Sequence, residues 1–305
     1  MKPSSRALRH WSRLASSLLT GLGHSGGRSL AFDTALPLHK TGGRVMALEA
    51  LVFDLDGTFV DTDELHRRAF NQAFLEFNLG FEWKPELYET LLTVSGGADR
   101  IRHYIDTSSF SQEQKAALHA VVPAVHREKT RIYGELLSDN AVKLRSGVRR
   151  LMAEARQAGL RVGVVATSAS ANMQPLIMSV LGREGASDIR AFVSADRVSN
   201  KKPAPDIYLL ATSMLGVAPD ACVAFEDSTN GVRAAKAAGL FTIATPSRWT
   251  RTQDFSAADV CLSELGDPET PLGDADAALI GGARYVGLEE VRALFAGSGA
   301  IAASQ

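Results

Sequence analysis

Long hydrophobic runs, cysteine frameworks, a net charge of one sign and internal repeats are all missing from this chain. No apolar stretch reaches the roughly 18 residues that a membrane-crossing helix needs, so no span is expected. The two cysteines, Cys222 and Cys261, cannot build a disulfide scaffold, and their spacing does not suit a metal site. Two reduced, buried thiols are the expectation, as in a cytosol-like compartment. The formal charge is −1 at neutral pH, which removes the global electrostatic reason to bind nucleic acid or anionic lipid.

What is present is ordinary globular material. Over 305 residues, 45% are hydrophobic and 22% charged, enough for one large domain or two smaller ones and too apolar for a disordered chain. The near-neutral total hides an asymmetric start. Residues 1–45 carry seven Lys or Arg against a single acid, Asp33, and are rich in Ser, Gly and Arg without sustained periodicity. This composition fits an untargeted leader ahead of ordered sequence at Met46, or an organelle transit peptide. The short, interrupted apolar stretch Leu14 to Leu22 argues against a secretory signal. The cytoplasm is therefore the expected location, with a plastid or other organelle as the alternative if the leader is a transit peptide.

From Met46 onward, short β-type runs alternate with amphipathic segments. Leu51–Phe53, Arg161–Ala166, Ala191–Val193, Cys222–Phe225 and Phe241–Ala244 read as strands. Val148–Ala158, stopped by Gly159, and Gly231–Ala238, stopped by Gly239, read as helices between them. Continuous apolar strands separated by helices predict a doubly wound α/β core, its parallel sheet covered on both faces. Between the first two strands lies a long stretch with no strand signal, in which 65–77, 85–92, 98–105 and 112–137 read as helical. It is too long for a crossover and reads as a helical domain inserted at 62–141, leaving 46–61 and 142–305 for the core. Phe70, Phe74 and Phe77 recur at helical spacing and are expected to form the core of that insert.

Each presumed strand ends in polar residues. Strand one ends at Asp54-Leu55-Asp56-Gly57-Thr58, strand two at Thr167-Ser168, and strand four at Glu226-Asp227-Ser228, while Lys201-Lys202-Pro203-Ala204-Pro205-Asp206 follows strand three. Ligands of open parallel sheets bind at the carboxyl ends of the strands, so these clusters should converge. Four carboxylates, a hydroxyl pair and a lysine suit phosphoryl transfer. Asp54 or Asp56 can attack phosphorus while the other exchanges a proton. Crowded carboxylates call for a cation, and hard oxygen donors suit Mg²⁺. Lys202 and a hydroxyl of Thr167 or Ser168 would hold the phosphate oxygens. A calcium loop starting at Asp54 is excluded, because it needs glycine sixth and glutamate twelfth, where Phe59 and Leu65 stand.

These motifs, in this order over roughly residues 48–265, resemble the haloacid dehalogenase (HAD) superfamily, and the insert resembles its helical-cap subgroup. The resemblance implies Asp54 as the nucleophile that forms an aspartyl-phosphate and Asp56 as general acid/base. It also implies Mg²⁺ held by Asp54, the Asp56 carbonyl and Asp227, with Glu226 nearby. Asp63-Glu64-Leu65-His66-Arg67-Arg68-Ala69-Phe70-Asn71, Leu91-Leu92 with Gly96-Gly97 and Arg100-Ile101, and the Lys201-Lys202 pair are similar to the CbbY-type sugar-phosphate phosphatases. That group is associated with removing xylulose-1,5-bisphosphate. The match implies Asp63 and His66 at the sugar, Gly97 beside it, and Arg100 at a second phosphate. Asp63 departs from the longer Glu expected there. Thr167-Ser168-Ala169-Ser170 departs from the common Thr-Asn pair, which leaves the phosphate hydroxyl open between Thr167 and Ser168.

The expected activity is thus Mg²⁺-dependent hydrolysis of a small phosphosugar by a monomer that binds neither nucleic acid nor membrane. A phosphosugar mutase of the β-phosphoglucomutase kind shares every motif and is the first alternative. A non-catalytic binding protein of the same fold is a remote one, because all four clusters are filled. A dehalogenase is disfavoured by Asp56 and the acidic pair at 226–227. His66 and Arg100 also admit a bland reading as surface residues, and His103, His119 and His126 have no partner visible in sequence.

Overall fold

A computed structural model describes residues 47–139, 142–167 and 170–302. The leader expected at 1–45 and the candidate Ser168 lie outside the described residues. The five expected strands form: β1 (Ala50–Asp54), β2 (Arg161–Ala166), β3 (Ile189–Ser194), β4 (Cys222–Glu226) and β5 (Phe241–Ala244). A two-residue edge strand, β6 (Val260–Cys261), joins them and is too short to read from sequence. All pairings are parallel, in the order β3-β2-β1-β4-β5-β6.

The pleat sends alternate residues to opposite faces. Leu51 and Phe53 of β1 join Val223 and Phe225 of β4 in one apolar cluster, while Ala50 and Val52 join Cys222 and Ala224 in another. Phe53 stacks on Phe225 with ring centroids 4.5 Å apart. Both faces are covered, which is why the strands read as unbroken apolar runs rather than alternating ones. Cys222 is buried in this core, but Cys261 is exposed on the edge strand, against the expectation of two buried thiols.

Four helices follow β1: α1 (Asp63–Glu76), α2 (Pro85–Leu91), α3 (Gly97–Thr107) and α4 (Gln112–Asp139). They enclose their own cluster, which includes Phe70, Phe74, Trp83, Tyr88, Ile101 and Tyr133, with Phe77 packed against it. The core is completed by α5 (Val148–Gln157), α6 (Ser170–Ser187, kinked at Gly182), α7 (Asp206–Leu215), α8 (Thr229–Ala237), α9 (Asp274–Leu279) and α10 (Leu288–Ala302). Sequence pattern anticipates α5 and α8 but not α6, α9, α10 or α7. That helix buries Ile207, Tyr208, Ala211, Thr212 and Leu215, so no clean polar face marks its period.

The strand order places a topological switch beside β1, because β2 and β3 lie on one side of it and β4 and β5 on the other. The carboxyl ends of β1 and β4 therefore meet where such sheets form their crevice. Arg145 braces this end, donating to the carbonyls of Gly57 at 2.6 Å, Thr245 at 2.5 Å and Pro246 at 3.1 Å. Because the Phe53–Phe225 stack joins the two strands that carry the crevice, Phe225→Ala is expected to destabilise the protein by about 3–5 kcal/mol. Denaturant unfolding monitored by circular dichroism measures it, and a loss under about 1 kcal/mol would place the stack outside the stabilising core.

Candidate active site

Continuing the pleat past the core puts Asp54 and Glu226 on the same face of neighbouring strands, because Phe53 and Phe225 are in register. Both carboxylates are buried. Lys202, from the loop before α7, reaches between them: Nζ donates to Asp54 Oδ1 at 2.5 Å and to Glu226 Oε1. Tyr208 of α7 also donates its hydroxyl to Glu226. Burial alone would strip Lys202 of its proton, but Asp54 and Glu226 reverse that and hold its pKa above the usual lysine value.

Asp227, one residue beyond β4, completes a set of three: Asp54, Glu226 and Asp227 offer carboxylate oxygens that lie within 4.8 Å of one another. Burial pushes the Asp54 carboxyl well above the ordinary range, opposed by Lys202 and reinforced by the two neighbouring acids. Burial, with the charges of Asp63 and Glu226, pushes Asp227 up to about 8. A β-carbon at Gly57 would sit 2.2 Å from Asp227 Oδ2, and one at Gly231 would sit 1.8 Å from Glu226 Oε2. Both positions must lack a side chain for the acids to pack this way. Hard oxygen donors, crowded, buried and short of positive charge, fit a hexacoordinate divalent cation such as Mg²⁺.

Asp56 faces the other way, toward the insert. Its Oδ1 accepts from Thr62 Oγ1 at 2.5 Å and from Tyr133 at 3.4 Å, with His66 Nε2 at 3.2 Å. His66 is buried, which excludes its reading as a surface residue. Burial, together with Lys129, lowers its pKa to about 4, so the ring is neutral. Lys129 Nζ lies 2.6 Å from His66 Nδ1, so Nδ1 accepts and Nε2–H is left to donate to Asp56. The Tyr133 ring stacks on that imidazole with centroids 3.8 Å apart. Burial brings Lys129 itself down to about 7.

Both aspartates open onto one cleft of about 290 Å³ between core and insert, lined also by Asp63, Gly97, Arg100, Thr167 and Lys201. Asp63 Oδ2 is buried with no hydrogen-bond partner among the described residues, and burial with the Asp56 charge raises its pKa to about 7. Arg100 Nε donates to the carbonyl of Leu91 at 3.0 Å, Nη2 to that of Val94 at 3.1 Å, and Nη1 to the Tyr88 hydroxyl at 3.3 Å. Its guanidinium is held by the end of α2 and the loop that follows, and the residue is half-buried rather than freely exposed. Gly97 starts α3 close to α4, since a β-carbon there would meet His126 Nε2 at 2.7 Å. Lys201 pairs with Asp99 at 2.5 Å across the cleft mouth.

Sequence reasoning missed Thr62, Lys129, Tyr133, Tyr208 and Thr250, and gave His126 no role. A signal existed for part of this. His126, Lys129, Thr130 and Tyr133 recur at helical spacing, forming a polar stripe along α4 that all lines the cleft. Tyr208 and Thr250 carry no such pattern and emerge only from packing.

A family model described as haloacid dehalogenase-like hydrolase matches residues 48–239. The plasmid CbbY protein of Cupriavidus necator is 40% identical over 225 residues, covering 74% of this chain and 89% of that protein. The CbbY protein of Rhodobacter capsulatus is 40% identical over 226 residues, covering 74% of this chain and 97% of its own. The crystal structure of a CbbY mutant from Rhodobacter sphaeroides, in complex with xylulose-(1,5)bisphosphate, superposes with a TM-score of 0.64. It is 38% identical, over 71% of this chain and 94% of that one.

A cation held by the Asp54–Glu226–Asp227 cluster would compete with protons there, which fixes the sign of a pH effect. With Asp227 at about 8, lowering the pH through that value fills the site with protons, so Mg²⁺ affinity falls. Calorimetric titration of the full chain with Mg²⁺ alone should show affinity dropping between about pH 8.5 and pH 6, by up to roughly tenfold per unit. An affinity that does not change with pH would move the ion elsewhere.

Proposed function

Since the chain belongs to the haloacid dehalogenase-like hydrolases, as a CbbY-type member, we propose that it is a Mg²⁺-dependent phosphatase of a small sugar bisphosphate that works through an aspartyl-phosphate on Asp54. The observation that carries this reading is the meeting of Asp54, held by Lys202, with Asp56, held by three donors of the insert, in one cleft. Two carboxylates with separate supports can take separate roles.

An Asp54 carboxylate oxygen attacks phosphorus, and the bond from phosphorus to the sugar oxygen breaks. Asp56 gives its proton to that leaving oxygen. The resulting carboxylate then takes a proton from water as the water oxygen attacks phosphorus, and the bond to Asp54 breaks to release inorganic phosphate. Thr62, His66 and Tyr133 orient Asp56 from the insert side of the cleft. Lys202 offsets charge near the phosphoryl oxygens, and Thr167, at the end of β2, adds a hydroxyl. Mg²⁺, bound by Asp54, Asp227 and the Asp56 carbonyl with Glu226 bordering it, would neutralise the phosphate charge.

Asp63 and Arg100 support the sugar bisphosphate assignment. Asp63 lines the cleft, and with its Oδ2 left unpartnered among the described residues its carboxyl is suited to a sugar hydroxyl despite the shorter side chain. Arg100 presents a fixed cation on the insert side for a second phosphate. The xylulose-1,5-bisphosphate bound by the R. sphaeroides relative has this charge pattern.

Purified protein with Mg²⁺ should release phosphate from bisphosphorylated pentoses faster than from monophosphates. Formation of an isomeric phosphosugar without phosphate release would instead identify a mutase. Asp54→Asn is expected to abolish turnover, and survival of activity would end the nucleophile assignment. Arg100→Ala should cut kcat/KM for bisphosphates by about 10- to 100-fold while sparing monophosphates. Equal losses on both would remove Arg100 from the second phosphate.

A further inference from the structure

Trp249 belongs to the core by chain position, in the loop after β5, yet its side chain is buried in the aromatic cluster of the insert. It meets Tyr88 of α2 edge-on, with ring centroids 5.6 Å apart and planes at 85°. The next residue points to the site. Thr250 Oγ1 donates to Asp227 Oδ2 at 3.1 Å. A compact network locks the two residues together: the Ser247 amide donates to Thr250 Oγ1 at 2.9 Å, the Trp249 amide to Ser247 Oγ at 3.2 Å, and the Thr250 amide to the Ser247 carbonyl at 3.1 Å. Ser247, Trp249 and Thr250 are all buried, so this turn has little freedom to let one residue move without the other.

One short turn therefore touches both halves of the cleft. On the core side it holds a carboxylate of the acidic cluster. On the insert side it packs against Tyr88, whose hydroxyl accepts from Arg100. Among the described residues the buried indole N–H of Trp249 has no hydrogen-bond partner, so the aromatic body and not the polar tip accounts for its seat. We infer that Trp249 and Thr250 are positioning residues that couple the seating of the helical insert on the core to the orientation of Asp227. The inference rests on the metal-dependent reading above and extends it. Coupling between two sites is reciprocal. Occupation of the acidic cluster thus favours the seated Trp249, and unseating Trp249 weakens cation binding at Asp227.

The test uses the full chain and needs no turnover. The sequence contains three tryptophans, Trp11, Trp83 and Trp249, so a Trp11→Phe/Trp83→Phe background leaves Trp249 as the sole indole reporter. Addition of Mg²⁺ should shift its emission, and Thr250→Val in that background should abolish the shift. By calorimetry, Thr250→Val should weaken Mg²⁺ binding by about 10-fold or more, the usual cost of losing the partner of a metal ligand. Trp249→Ala should weaken it as well, whereas Trp249→Phe should stay within about twofold, because the indole N–H has no bond to lose. A merely structural tryptophan would leave Mg²⁺ affinity unmoved in the folded Ala variant. If that variant does not fold, the emission measurement decides. Mg²⁺ binding that leaves the Trp249 emission or the Trp249→Ala affinity unchanged overturns the coupling and leaves the phosphatase reading intact. Failure of the unmodified chain to bind Mg²⁺ at all overturns both.

Discussion

Asp54 and Glu226 stand on adjacent strands with their carboxylates buried and within 4.8 Å of each other, and the ammonium of Lys202 between them makes that arrangement tolerable. At an effective dielectric near 20, two like charges at that distance repel by about 3–4 kcal/mol, before the cost of desolvating each. A domain whose total stability is about 5–15 kcal/mol has little room for such a pair uncompensated. Lys202 resolves the repulsion for two of the three acids, and Tyr208 adds a hydrogen bond to Glu226. Asp227 is left with the Thr250 hydroxyl and a raised affinity for protons, so the cluster remains short of one cation's worth of charge.

The second aspartate is governed by the other half of the molecule. Asp56 leaves β1 two residues after Asp54, but its supports, Thr62, His66 and Tyr133, come from the segment leading into the insert and from α1 and α4. Movement of the insert would disturb Asp56 while leaving Asp54 and Lys202 in place. Where a lid closes over an active site, closure completes a catalytic set and excludes water. The division of supports seen here supplies a physical route by which closure and proton transfer would be linked.

Much of the fold was legible. The five longer strands and the four insert helices were readable because apolar runs and 3.6-residue patterns are local properties. The edge strand β6 was too short to register, and α7 lacked a polar face to set its period. At the site, Asp54, Asp56, Lys202, Glu226 and Asp227 were legible because each follows a strand or lies in a spaced motif. His66 could not be separated from a surface histidine, since its burial depends on α4 crossing it. Cys261 was misjudged because edge exposure is decided by what packs beside a strand.

Residue types in order were enough to specify a parallel sheet, an inserted helical unit and a set of acids at strand ends, because pleat, helical period and turn chemistry act over a few residues. Tertiary structure alone decided how those acids divide. Lys202 neutralises the β1–β4 pair, the insert claims Asp56, and a turn after β5 reaches both Asp227 and the insert's aromatic cluster. These contacts join residues remote in the chain, and their energies depend on burial and distance, which exist only once the chain has folded.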